Sequence, residues 1–196
     1  GCPYSCNWCA KPTWGRSYGV RSPERVAAEV ERIRVRLGPE RIWFTDDIFA
    51  IRPDWLKRFR SCLENPVPYR CLSRADLLRD PNYVADLKAT GCREVWIGAE
   101  SGSDEILRAM EKGSDVAEIE RARNNLRAAE IDVGFFLQLG YPGEGLGELE
   151  QTIDMVRRLR PEQIGVSVSY PLPGTIFGDP TPQNRASATA GARLTK

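Results

Sequence analysis

Short apolar runs alternate with longer amphipathic stretches from Ser22 to Ser169, and no other feature constrains the fold as much. Ser22-Pro23 sets a capping hydroxyl ahead of a first-turn proline. Val26, Val30, Ile33 and Leu37 then share one helical face before Gly38 ends the helix. Arg41 to Phe44 reads as a short buried strand. Pro53 to Leu63 is a helix with Leu56, Phe59 and Leu63 inward, and Tyr69 to Leu72 is a strand. Asp80-Pro81 opens a helix that carries Val84 and Leu87 and stops at Gly91. The pattern continues with a strand from Glu94 to Gly98, helices from Asp104 to Lys112 and Val116 to Glu130, and a strand from Asp132 to Leu139. A helix from Glu148 to Leu159, with Leu149, Ile153 and Val156 inward, and a strand from Gln163 to Ser169 close it. Strands separated by helices imply βα units on a parallel sheet. Right-handed crossovers wind such a sheet into a barrel or an open doubly wound layer.

Each strand runs into a loop of polar or glycine residues: Thr45-Asp46-Asp47, Ser73-Arg74-Ala75-Asp76, Ala99-Glu100-Ser101-Gly102, Gly140-Tyr141-Pro142-Gly143-Glu144 and Pro171-Leu172-Pro173-Gly174. Parallel α/β folds place ligands at the carboxyl ends of their strands, so these loops are expected to face one shared site. From Phe177 onward Gly, Pro, Thr, Ala and Ser dominate and no further aromatic occurs. That composition predicts a domain over residues 1–177 and a disordered tail over 178–196.

The chain's 196 residues suffice for one domain with a core. A net charge of +1 without any histidine gives no electrostatic pull toward nucleic acid or an anionic membrane, so neither is an expected partner. The longest apolar stretch, near Val133 to Leu139, is too short to span a bilayer, and no basic-then-apolar leader opens the chain. A cytoplasmic setting is the expectation. The first residue is Gly1 rather than methionine, which leaves room for sequence upstream.

Cys2, Cys6 and Cys9 crowd into one loop, whereas Cys62, Cys71 and Cys92 are scattered. Cysteines so close in sequence make poor disulfide partners, and a tight cluster in a cytosolic protein points to metal. Three thiolates can grip three irons of a 4Fe-4S cube and leave the fourth iron open to a substrate or cofactor. Structural zinc would want a fourth ligand. The chain has no histidine to supply one, although Cys62, Cys71 or Cys92 is chemically able to. Spacing favours the cluster and leaves zinc as the alternative. The scattered cysteines read as small buried hydrophobes.

Cys-x3-Cys-x-aromatic-Cys, with Trp8 in the aromatic slot, resembles the signature of the radical S-adenosylmethionine superfamily. The resemblance runs from Gly1 to about Phe177 through Arg21-Ser22-Pro23-Glu24, Phe44-Thr45-Asp46-Asp47-Ile48-Phe49, Ser73-Arg74-Ala75-Asp76, Ile97-Gly98-Ala99-Glu100-Ser101-Gly102, Gly140-Tyr141-Pro142-Gly143-Glu144 and Tyr170-Pro171-Leu172-Pro173-Gly174-Thr175. Together these are similar to the branch that usually carries an upstream cobalamin-binding domain, which includes methyltransferases and the anaerobic cyclase of chlorophyll synthesis. The resemblance implies a partial (β/α)6 TIM-like barrel whose first strand would lie upstream of Gly1. It implies a 4Fe-4S cluster on Cys2, Cys6 and Cys9, with cobalamin as a further cofactor held by the upstream domain. It also implies reductive cleavage of S-adenosylmethionine to methionine and a 5′-deoxyadenosyl radical.

By the same resemblance, Trp8, Asp46, Asp47, Ser73, Arg74, Glu100, Ser101, Gly140 and Tyr141 surround S-adenosylmethionine. Asp46-Asp47 would face the methionine ammonium, Arg74 the carboxylate, and Glu100 and Ser101 the ribose hydroxyls. Gly140 would shape a tight turn open to close approach. Each has a plain structural rival: a turn for Asp46-Asp47, an ion pair for Arg74, helix capping for Glu100 and Ser101, and core packing for Trp8. The implied partners are a small organic substrate and a reductant such as flavodoxin or ferredoxin. Two other functions compete with this one. A methylthiotransferase of transfer RNA would be expected to add an RNA-binding module. A non-catalytic metal or electron-transfer module would need only the cysteines.

Overall fold

Helix α1, Pro23–Leu37, begins where the Ser22 hydroxyl accepts the Arg25 N–H, and ends at Gly38, whose φ of 53° suits a residue without a side chain. The computed structural model to which it belongs describes residues 2–4, 6–10, 18–173, 175, 177 and 178. Apart from Gly178, the tail expected over residues 178–196 lies outside the described residues. The other elements follow in order: β1 Ile42–Trp43, α2 Pro53–Cys62, β2 Tyr69–Ser73, α3 Ala75–Leu78, α4 Pro81–Ala89, β3 Cys92–Glu100, α5 Asp104–Ala109, α6 Val116–Ala128, β4 Asp132–Leu139, α7 Leu146–Leu159 and β5 Gln163–Val168.

The five strands are parallel and adjacent in chain order, curling into the half-barrel of a partial TIM-like fold. Cross-strand register assigns their faces. Val95 lies beside Val133 and Ile97 beside Phe135, and this face packs into one core with Leu87, Ile119, Ala122 and Leu126 of the helices. The opposite, inner face carries Trp96 and Phe136, with ring centroids 4.6 Å apart. Trp96 fits because Gly134 is its neighbour: a Cβ there would lie 2.3 Å from the indole. Near the start of β3, the buried Glu94 carboxylate accepts from Arg41 at 2.6 Å and from the Trp96 indole at 2.7 Å. That network occupies the amino-terminal end of the strands.

Several expectations need correction. The four-residue helix α3 is too short to show a period, so its sequence read as loop. Strand β3 extends beyond Glu94–Gly98 at both ends. On α7 the inward residues are Thr152, Met155 and Leu159, while Leu149 and Val156 are half-buried and Ile153 is exposed. Thr152 turns inward because its hydroxyl accepts the Gly102 N–H at 2.8 Å, and this rotates Ile153 out. The strand read as buried, Arg41 to Phe44, is only half-buried, with Trp43 54% exposed at the sheet's edge, and on β5 Ile164, Val166 and Val168 are 52%, 56% and 67% exposed. Among the described residues, nothing covers their side of the strand. No described helix is long and apolar enough to cross a membrane.

Candidate active site

The cysteine loop is pinned by a residue inside its own motif. Asn7 donates its backbone N–H to the Met110 carbonyl at 3.2 Å and its side-chain amide to the Ala109 carbonyl at 2.7 Å. Its Oδ1 accepts from the Tyr141 hydroxyl at 2.9 Å, and its carbonyl accepts the Phe177 N–H at 3.1 Å. The loop is thereby fixed to the end of α5 and to the loop after β4. Trp8 seals the contact by packing with Ile106, Met110, Tyr141 and Phe177. Its indole N–H is buried with no hydrogen-bond partner among the described residues. Cys2, Cys6 and Cys9 are partly exposed, and all six cysteines are thiols rather than disulfides. Cys71 and Cys92 are fully buried in the core, as expected of small hydrophobes, while Cys62 packs at its margin.

Arg74 leaves the end of β2 and passes beneath this loop. Its Nε donates to Asp76 at 2.9 Å, one Nη donates to the Lys112 carbonyl at 2.8 Å, and the other lies 3.9 Å from Cys6 Sγ. The guanidinium stacks on the Tyr4 ring at 3.7 Å, and the Tyr4 hydroxyl donates to the second oxygen of Asp76 at 3.0 Å. Burial works to lower the pKa of Arg74, but the charge and hydrogen bond of Asp76, with Cys6 and Tyr4 adding, hold it above its ordinary value. The side chain is therefore a fixed, buried cation.

Beside it, the Lys112 ammonium donates to Glu100 Oε1 at 2.7 Å, and both side chains are buried. Glu100 reaches this position through a bulge between Gly98 and Glu100 and a φ of 60°, a left-handed backbone that is uncommon for residues other than glycine. Gly98 leaves the necessary space, since a Cβ there would lie 2.4 Å from the carboxylate and 2.6 Å from the ammonium. A strained residue at a strand's carboxyl end, holding a buried charge pair, is a mark of a functional site. Lys112 also lies 5.7 Å from the Trp8 ring.

Asp46 and Asp47 lie on the other flank. They line a cleft of about 390 Å³ between α1, β1 and the segment after β1, with Tyr18, Arg21, Glu29 and Trp55 among its walls. The cleft's partial burial pushes the Asp46 pKa up; a backbone hydrogen bond opposes this and Asp47 adds to it. Partial burial raises the pKa of the Tyr18 hydroxyl in the cleft wall; Arg52 opposes this, and Asp46 and Cys2 add to it.

The remaining expected residues make the following contacts within the chain. Ser73 lies on the helix-covered face, beside Ile97. Ser101 is fully buried; its hydroxyl accepts the Ser103 N–H at 3.1 Å and sits 3.3 Å from Thr152 Oγ1. Gly140, with φ 77°, turns the chain after β4, and Tyr141 faces Asn7 and the Ala109 carbonyl. Sequence reasoning missed Asn7, Tyr4, Asp76 and Lys112. Asn7 and Tyr4 lie within the cysteine motif itself, and Asp76 within the quoted Ser73–Asp76 run. Lys112 carried only a weak signal, a lysine before Gly113, where the sequence reads a helix end that the structure places at Ala109.

The site thus holds three thiols on one loop, a buried cation under them, a buried ion pair beside them and two carboxylates across a cleft. This arrangement can bind a metal cluster and a zwitterionic ligand at the strand ends. Comparison with known proteins gives the family. The Radical SAM superfamily profile matches residues 1–156, and the chain belongs to that superfamily of enzymes. It is 29% identical over 185 residues to bacteriochlorophyllide d C-12(1)-methyltransferase of Chlorobaculum tepidum, covering 90% of this chain and 40% of the relative. It is 25% identical over 181 residues to the anaerobic magnesium-protoporphyrin IX monomethyl ester cyclase of Cereibacter sphaeroides, covering 89% and 30%. Among solved structures, the radical S-adenosylmethionine methyltransferase TsrM of Kitasatospora setae, with cobalamin and a 4Fe-4S cluster bound, superposes with a TM-score of 0.78 at 26% identity. That match covers 91% of this chain and 34% of TsrM. The chain therefore spans well under half the length of these relatives.

Proposed function

We propose that residues 1–177 are the radical core of a cobalamin-associated enzyme that methylates or cyclises a small organic substrate. The observation that carries this reading is the pinned loop of Cys2, Cys6 and Cys9 over the buried cation of Arg74, at the carboxyl ends of a parallel half-barrel. The donor set fits a 4Fe-4S cluster. The three thiols share one loop and are all partly exposed, and the chain has no histidine to complete a zinc site. When bound, the cluster would supply the electron that breaks a carbon–sulfur bond of S-adenosylmethionine.

The chain's own residues bind, orient and exclude water. Asp46 and Asp47 offer anionic oxygens to an ammonium. Lys112 and Glu100 offer a donor and an acceptor at the end of β3. Trp8 and its apolar neighbours keep water from one side of the loop. Similarity to enzymes of methyltransferase and cyclase type supports the reaction class and supports a cobalamin domain elsewhere in the whole protein. A reductant such as flavodoxin or ferredoxin would deliver the electron.

Anaerobic reconstitution tests the reading. The chain should bind close to four irons, on the stoichiometry of such a cluster. With S-adenosylmethionine and a strong reductant it should release 5′-deoxyadenosine. Cys6→Ser should lose the iron and Cys62→Ser should keep it. A full cluster in the Cys6 variant, or zinc in place of iron, would overturn the reading.

A further inference from the structure

We propose that Arg74 raises the reduction potential of the cluster held by Cys2, Cys6 and Cys9, and that Asp76 limits the rise. The proposal rests on the cluster reading above and adds a role for a side chain that carries no iron. Arg74 is 5% exposed and its aim is fixed by Asp76, the Lys112 carbonyl and the Tyr4 ring, so one Nη is held 3.9 Å from Cys6 Sγ. Reduction adds a negative charge to a cluster. A cation held beside a ligating sulfur in a poorly screened interior favours the reduced form, and an N–H directed at that sulfur acts in the same sense.

The two buried cations near the loop differ in this respect. Lys112 is matched by Glu100 at 2.7 Å, with both side chains under one-tenth exposed, so their charges largely cancel at a distance. The counterion of Arg74 is Asp76, which is 21% exposed and shares its carboxylate with the Tyr4 hydroxyl. Water screens that carboxylate while the guanidinium remains dry, and the positive field toward Cys6 is only partly offset.

Opposite shifts in the two partners test this. The full chain is reconstituted anaerobically with iron and sulfide, without S-adenosylmethionine, and titrated with redox mediators while cluster absorption and the electron-spin signal are followed. Arg74→Gln keeps a donor and removes the charge. Its ratio of reduced to oxidised cluster at a fixed potential should fall about tenfold, a shift of about 59 mV to more negative midpoint for a one-electron couple. Asp76→Asn should shift the midpoint to more positive values, and Arg74→Lys should stay near the parent. Arg74→Gln titrating with the parent, or both charge-removing variants shifting in one direction, would overturn the proposal. So would loss of iron from both Arg74→Gln and Arg74→Lys, because Arg74 would then be a loop support. If the parent takes up no iron, the cluster reading falls and takes the proposal with it. A loaded parent with unmoved variants removes the proposal alone.

Discussion

Lys112 and Glu100 meet at 2.7 Å inside the protein, with side chains 9% and 6% exposed, across the space that Gly98 leaves open. The pair ties the end of β3 to Lys112, three residues past the end of α5, so the segment between them closes on itself. It also sets a carboxylate and an ammonium at the carboxyl end of the central strand, the position where a parallel fold presents groups to a ligand.

Removing one partner strands the other charge in a dry site. Lys112→Met should destabilise the chain by about 3–5 kcal/mol, and the double variant Lys112→Met/Glu100→Gln should recover much of that loss. Urea melts of the parent, the single variant and the double variant measure the coupling. Additive losses would mean that the two groups do not depend on each other.

Asn7 holds the cysteine loop through backbone and side chain together. Asn7→Ala removes the bonds to Ala109 and Tyr141. It should accelerate alkylation of Cys6 and Cys9 several-fold, because each lost hydrogen bond is worth about 1 kcal/mol of local order. Labelling of the buried Cys71 should be unchanged and serves as the internal control. Equal rates at Cys6 in parent and variant would show that the loop is held by other contacts.

Gly134 accommodates the Trp96 ring. A Cβ at 2.3 Å forces the indole or the strand to move, so Gly134→Ala should cost about 1–3 kcal/mol as an overpacking change. Indole fluorescence should change along with the melting temperature. An alanine variant as stable as the parent would show that the inner face is loosely packed.

The raised pKa of Asp46 gives a signed pH effect. Folding favours its neutral form, so its contribution to stability is complete below the ordinary aspartate value of about 3.9. It is lost as pH rises through the higher folded-state value. Asp46→Asn escapes that loss. Its melting temperature should therefore rise relative to the parent between about pH 4 and neutrality, by a small amount because the group reaches solvent. A constant difference across that range would exclude the effect.

Ile164, Val166 and Val168 form an exposed apolar ridge on β5. The chain should enhance the fluorescence of a hydrophobic dye, and Val166→Lys should reduce that signal while leaving far-ultraviolet dichroism unchanged. Dye binding unaffected by the substitution would locate the apolar surface elsewhere.

The legible part of the fold was what neighbouring residues decide among themselves. Ser22 and Asp80 capped their helices as read, because an N-cap depends on a side chain and a backbone N–H only a few residues apart. The parallel sheet followed from the alternation of runs, and the profile match bears out the family resemblance carried by the cysteine spacing. The burial of α7 was misread because Thr152 takes the inward place through a bond to Gly102, and no periodicity of α7 encodes that partner. Likewise, no local pattern encodes the contact of the Ser101 hydroxyl with Thr152, 51 residues away.

By itself, then, the sequence determined the strands, most of the helices and the identity of the cysteine loop, since period, capping and motif spacing are short-range properties. The tertiary structure alone decided which polar groups meet there. Tyr141 reaches Asn7 across 134 residues of chain, Arg74 reaches Cys6 across 68, and Glu100 needs a bulge and a left-handed backbone to face Lys112. Those distances are closed by sheet pairing and core packing, which bring the strand ends together whatever their loops contain. The charges of the site are set by which side chains then lie within reach.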